Sequence, residues 1–225
     1  MMEALHPQLA LSLSLPDAPS LGNFVTGRND EAVAQIHAVA QGAFTHTALY
    51  LWGEAGSGKS HVVSGLTHVA NSTLLTGTVC DELPEQTLLY LLDDVHLLDA
   101  DGQAALFHLY NRIRAEGKTL VLTANVPPAL LPSDFLPDLK TRLAWDLVYQ
   151  LQLLTDDDKA QVLGQQAAER GLNLAADVVP YMLRHLTRDL TQLHRVLRSL
   201  DEYSLQTKRA VTLPLLKSWL NQQAQ

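Results

Sequence analysis

Gly53-Glu54-Ala55-Gly56-Ser57-Gly58-Lys59-Ser60 fills the pattern G-x-x-x-x-G-K-[ST] without a departure. Glycines at these positions let backbone N–H groups turn inward toward phosphate oxygens. The helix that begins at the end of the loop adds the positive end of its dipole. Lys59 then reaches the β- and γ-phosphates, and the Ser60 hydroxyl is a Mg2+ ligand. At ordinary residue frequencies such a match arises by accident in roughly 1% of chains this long. Here an apolar run, Thr47–Trp52, precedes the loop, and a segment of helical periodicity, Lys59–Ala70, follows it. Strand, loop and helix are the context the motif requires, so the spacing predicts a nucleotide phosphate loop rather than a Gly-rich turn.

The next element is Leu88-Leu89-Tyr90-Leu91-Leu92-Asp93-Asp94. Its apolar part belongs to a predicted buried strand, Thr87–Leu92, which delivers carboxylates to the carboxyl edge of a sheet. Asp93 is the candidate for holding the Mg2+ water shell. Asp94 is the candidate for orienting or deprotonating an attacking water. A strand followed by a solvated turn is the competing reading, and the phosphate loop upstream favours the carboxylates. A third strand, Thr119–Ala124, ends at Asn125, a candidate for sensing the γ-phosphate or positioning water. On spacing alone the turn residue ahead of Val126-Pro127-Pro128 is the better reading of Asn125. Arg142, in Leu139-Lys140-Thr141-Arg142-Leu143-Ala144-Trp145, has the planar charge that stabilises a transferring phosphoryl group, its own or a neighbour's. On spacing alone it is a surface or salt-bridge Arg. Trp145 reads as core packing and His96 as a loop residue.

Strands alternating with helices up to about residue 153 argue a parallel sheet covered by helices on both faces. Helices are expected from Asn29–Asp30 to Ala40 and over Gln103–Glu116, the latter closed by Gly117. Leu74–Val79 reads as a weak strand and Leu147–Leu151 as the last one. Pro127, Pro128 and Pro132 mark a loop. Beyond it, Thr155 with Asp156, Asp157 and Asp158 forms a cap and acidic first turn. Only helical patterns follow, through Leu220. The expected organisation is an arm over residues 1–20, an α/β nucleotide-binding domain over 21–153 and an all-helical lid over 154–225.

The chain has 225 residues, 47% hydrophobic and 18% charged, enough to bury a core. Sixteen Lys and Arg against 24 Asp and Glu leave a net charge of −8, which excludes a general basic surface for wrapping DNA. A single cysteine, Cys80, excludes an intrachain disulfide and a cysteine-held zinc. No apolar run suggests a membrane span, and Arg28 is the first basic residue, so no signal peptide is expected. These features point to a cytoplasmic protein.

Together these segments resemble the AAA+ family, in the clade of the bacterial replication initiator DnaA. Leu21-Gly22-Asn23-Phe24-Val25-Thr26-Gly27-Arg28-Asn29 is similar to the segment that these proteins place against the adenine. Asp93-Asp94 resembles the clade's acidic motif, Thr123-Ala124-Asn125-Val126-Pro127-Pro128 its sensor 1 region, and Lys140–Trp145 its arginine-finger box. Gln8-Leu9-Ala10-Leu11-Ser12-Leu13 resembles the peptide by which proteins dock on the DNA polymerase sliding clamp, with Gln8 for amide hydrogen bonds and Leu9, Leu11 and Leu13 as apolar anchors. With no basic helix-turn-helix pattern after the lid, the set resembles the Hda group, regulatory inactivators of DnaA. That resemblance implies a protein that binds ADP or ATP with Mg2+, docks on the clamp, contacts DNA only through it, and stimulates hydrolysis of ATP held by DnaA. Arg142 would then act in trans, the isolated chain would turn over little ATP, and self-association stays open. One position departs: where the family often carries a sensor 2 Arg this chain has Thr191, and neither Arg188 nor Arg195 aligns. Two rival readings are an AAA+ helicase loader and a stand-alone P-loop ATPase or kinase.

Overall fold

Alternate residues of a strand face opposite sides of its sheet, and here both sides are apolar. A computed structural model describes residues 19–75, 86–187 and 189–223. Among these, β1 (Ala48–Trp52), β2 (Ser72–Leu74), β3 (Leu89–Leu92), β4 (Thr119–Ala124) and β5 (Leu147–Gln150) form one sheet in the order β2-β3-β4-β1-β5. Every pairing is parallel, with Tyr50 opposite Leu122 and Leu120 opposite Tyr90. Ala48, Tyr50, Tyr90, Leu92, Leu120 and Leu122 pack on one face against Leu106, Leu109, Tyr110 and Ile113 of α3 (Ala100–Glu116) and Leu139 and Leu143 of α4 (Pro137–Leu143). Leu49, Leu51, Leu89, Leu91 and Val121 pack on the other against α1 (Asp30–Ala40) and α2 (Lys59–Leu66). This is the expected architecture, a parallel sheet buried on both faces.

Element ends follow local chemistry. α3 starts where the Asp99 carboxylate accepts the Gly102 N–H at 2.8 Å and stops at Gly117, whose φ of 66° only glycine adopts freely. α2 ends four residues before Ala70, because the Thr67 hydroxyl turns back onto the Ser64 carbonyl at 2.6 Å. The weak strand expected over Leu74–Val79 is Ser72–Leu74 instead, and residues 76–79 lie outside the description. The short helix α4 had no counterpart in the pattern; Pro137 occupies its first turn, where a missing N–H costs nothing.

The chain divides into two compact units, residues 19–162 and, among those described, 163–223. The division falls inside α5 (Asp156–Glu169). The second unit also holds α6 (Val178–His185), α7 (Leu190–Thr207) and α8 (Leu213–Gln223). It buries Leu163, Ala167, Val178, Met182, Leu193, Leu197, Leu200, Val211 and Leu216. Its one departure from an all-helical pattern is a parallel bridge between Leu174 and Val211. No helix among the described residues is long and apolar enough to cross a membrane.

Candidate functional site

In a parallel sheet the carboxyl ends of the strands form the binding edge, and three adjacent strands bring the candidate residues there. β1 runs directly into Gly53–Ser60, β3 into Asp93 and Asp94, and β4 into Asn125. The loop closes tightly over the edge. A Cβ on Gly53 would stand 2.3 Å from the Leu151 carbonyl oxygen and 2.8 Å from Ser57 Oγ, so no larger residue fits. Gly56 and Gly58 adopt φ of 84° and 96°. Gly58 leads into α2.

Lys59 is buried and bends back over the loop, its Nζ donating to the Gly53 carbonyl at 2.7 Å and to that of Glu54 at 3.0 Å. Ser57 Oγ is buried without a hydrogen-bond partner among the described residues. Glu54, Ala55, Gly56 and Ser60 are exposed. A glycine-shaped cradle, an ammonium folded over it and an unsatisfied hydroxyl inside it fit a polyphosphate. The Ser60 hydroxyl and Asp93 carboxylate are hard oxygen donors, the type that Mg2+ takes.

Thr123 ties the acidic pair together, a role that the sequence pattern did not reveal. Its fully buried hydroxyl donates to Asp93 Oδ1 and accepts the Asp94 N–H at 2.9 Å. Asp94 stands at φ 53°, a left-handed conformation rare outside glycine. Its half-exposed carboxylate lies 3.9 Å from His96 Nδ1. Asn125 is exposed at the end of β4. A hydroxyl interrupting the apolar run Leu120–Ala124 was the available signal.

The segment before α1 lies against the loop. The Phe24 ring would meet a Cβ on Gly58 at 2.7 Å, and it stands edge-on to His61, centroids 5.5 Å apart. His61 Nε2 faces two acceptors, the Ser20 carbonyl and Asn23 Oδ1, each at 2.9 Å, so it carries the proton. Asn29 is buried and pairs with the Gln152 backbone both ways, at 2.7 and 3.1 Å.

Arg142 stands on a different element, in the last turn of α4. Its Nη1 donates to Asn111 Oδ1 on α3, and its guanidinium carbon lies 4.4 Å from the Phe107 ring centroid. Trp145 corrects the expectation of a core residue. It is 56% exposed, because α4 buries Leu139 and Leu143 and ends before it. Cations hold the indole at the surface: Arg114 and Arg142 lie 5.4 and 5.5 Å from its centroid. Gln8, Leu9, Leu11 and Leu13, Cys80, Arg188 and the side chain of Thr191 lie outside the described residues.

Residues 156–220 match the family model of the Hda lid domain. An uncharacterized protein of Haemophilus influenzae is 33% identical over 232 residues, covering 96% of this chain and 100% of that one. Over residues 156–220 the chain carries the lid domain of the Hda family, and as a whole it resembles the DnaA clade of AAA+ proteins. Solved structures agree at the level of fold. Domain III of the Thermotoga maritima replication initiation protein DnaA superposes with a TM-score of 0.74 at 21% identity, covering 93% of this chain and 98% of that one. AMPPCP-bound DnaA from Aquifex aeolicus does so with a TM-score of 0.69 at 18% identity, covering 81% and 65%. In this AAA+ frame the sheet edge carries the phosphate loop, and the helical residues 156–220 are the lid.

Proposed function

We propose that this protein regulates replication initiation by binding adenine nucleotide and stimulating hydrolysis of ATP held by DnaA, which inactivates the initiator. The carrying observation is the state of Arg142: Phe107 and Asn111 hold its guanidinium in place, and no carboxylate among the described residues pairs with it. A planar fork held ready meets two oxygens of a phosphoryl group at once. Supplied in trans, such an Arg stabilises charge that develops as the terminal phosphate leaves.

The chain's own site has a holding role. Backbone N–H groups of Gly53–Ser60 and the Lys59 ammonium bind ADP or ATP. Ser60 and Asp93 would hold Mg2+, which supplies charge neutralisation on the phosphates. Asp94 and Asn125 orient water there, and turnover by the isolated protein is small. The arm, residues 1–20, docks on the sliding clamp through Gln8, Leu9, Leu11 and Leu13, so DNA is approached indirectly. The family match and the AAA+ fold support the initiation setting.

The test compares Arg142→Ala and Arg142→Lys with wild type in a reaction containing ATP-bound DnaA and clamp loaded on DNA. Arg142→Ala should lower the stimulated rate by about a thousandfold while keeping its fold and its own ADP, and Lys should rescue poorly. Full stimulation by a stable Arg142→Ala protein would contradict the reading.

A further inference from the structure

Arg142 shares its indole with a second cation to which the reading above gives no part. Trp145 is a large exposed hydrophobic, and a single exposed apolar residue needs no explanation by itself. This one is flanked by two guanidiniums from two elements, Arg114 of α3 and Arg142 of α4, at 5.4 and 5.5 Å from its centroid. Arg114 is exposed, and neither Arg pairs with a carboxylate among the described residues. The neighbouring cations differ: Arg112 on α3 and Lys118 just past its end face Glu116 at 3.8 and 2.6 Å. The Asp146 carboxylate accepts from the Tyr110 hydroxyl at 2.9 Å and the Ala48 N–H at 3.1 Å. The two guanidiniums thus gather positive charge around one indole in a chain of net charge −8. An anion brought to that face meets both charges.

We infer that Arg114, Trp145 and Arg142 form one docking face for a protein partner that presents a bound nucleoside triphosphate, with Arg114 as a second cation toward its phosphates and Trp145 as the rigid aromatic anchor. The inference rests on the proposed role of Arg142 in trans. Trp and Arg dominate the energetics of protein interfaces. Charge complementarity favours a polyphosphate-bearing protein over bare nucleic acid, because a chain of net charge −8 repels an extended phosphate backbone. The indole spaces the two forks, and each fork meets phosphate oxygens as a pair of donors.

Arg114→Ala, Trp145→Ala and Trp145→Phe are compared with wild type and Arg142→Ala. The readouts are the concentration needed for half-maximal stimulation of DnaA–ATP hydrolysis, the melting temperature and ADP affinity. Arg114→Ala and Trp145→Ala should each raise that concentration about tenfold or more, with Trp145→Phe intermediate. Melting temperature and ADP affinity should stay at wild type, since both side chains are exposed. If these variants behave as wild type while Arg142→Ala is inactive, the docking face is wrong and the role of Arg142 stands. If Arg142→Ala is also fully active, both fall. Emission of Trp145 in a Trp52→Phe, Trp219→Phe background should shift with DnaA–ATP. A shift with a single-stranded oligonucleotide and none with DnaA–ATP would overturn the proposal in favour of a nucleic-acid contact.

Discussion

Lys59 and Thr123 show two different ways in which a residue's part becomes visible. Lys59 is readable in the sequence, since only the P-loop puts Gly-Lys-Ser at the start of a helix after an apolar strand. Its ammonium, now on the Gly53 and Glu54 carbonyls, is the point charge available to phosphate. Lys59→Ala should therefore weaken ADP binding at least about tenfold by isothermal titration; unchanged affinity would remove the loop from the account. Thr123 is readable only as a strand residue, because its partners Asp93 and Asp94 come from another strand, 30 and 29 residues away. Replacing it by Val leaves the Asp94 N–H and one Asp93 oxygen without their partner. Chemical denaturation should show a loss of about 1–3 kcal/mol, and a fully stable Thr123→Val would contradict the linkage. Arg142 is intermediate: the resemblance singles it out, but Asn111 and Phe107, which hold it, stand on α3 and leave no local trace in the sequence.

Elements with a strong period were readable, and short ones were not. β1 and β3 are uninterrupted apolar runs, β4 is apolar between Thr119 and Thr123, and the alternation of Ala48, Tyr50 with Leu49, Leu51 sorts β1 onto two faces. α4, with seven residues between prolines and the last strand, is too short for a period to emerge. The direction of Trp145 is hidden in the sequence for the same reason: it follows the end of that short helix. The start of α5 was marked by Thr155 and the acids after it. The Asp158 N–H meets Thr155 Oγ1 at 3.1 Å, and the Asp158 carboxylate takes the Thr155 hydroxyl and N–H at 2.7 and 2.9 Å. Those bonds, first the hydroxyl and then the backbone, hold the Asp158 carboxyl below its ordinary range. A depressed carboxyl contributes stability that is present above its unfolded pKa, about 4, and is lost as pH falls through its folded value. Asp158→Asn should thus lower the melting temperature at neutral pH and flatten its fall on acidification. A melting curve that falls with acid as in wild type would place the cap's contribution elsewhere. At the loop, Gly53→Ala should abolish nucleotide binding, since its Cβ meets the Leu151 carbonyl at 2.3 Å; binding at wild-type affinity would mean the loop rearranges freely.

At the scale of the whole molecule, the sequence conveys the order of the described parts, a sheet domain and then helices, and residues 156–220 match the Hda lid. The edge that gathers Gly53–Ser60, Asp93, Asp94 and Asn125 follows from parallel strands in a fixed order, so it too was foreseeable. The cationic face around Trp145 was not, because Arg114 and Arg142 come together only when α3 packs on α4. Separate parts should fail separately. Deleting residues 1–15 should abolish capture by the sliding clamp while ADP affinity and melting temperature stay unchanged; full capture by the truncated chain would place the docking peptide elsewhere. The central claim is action on a nucleotide that another protein holds. It is tested most directly by loading DnaA with labelled ATP, adding clamp-bearing DNA and wild-type protein, and following conversion to ADP in a single turnover. Conversion faster than with clamp-bearing DNA alone, by about a thousandfold at saturation, is the expected result. An unchanged rate with correctly folded, ADP-bound protein would contradict it.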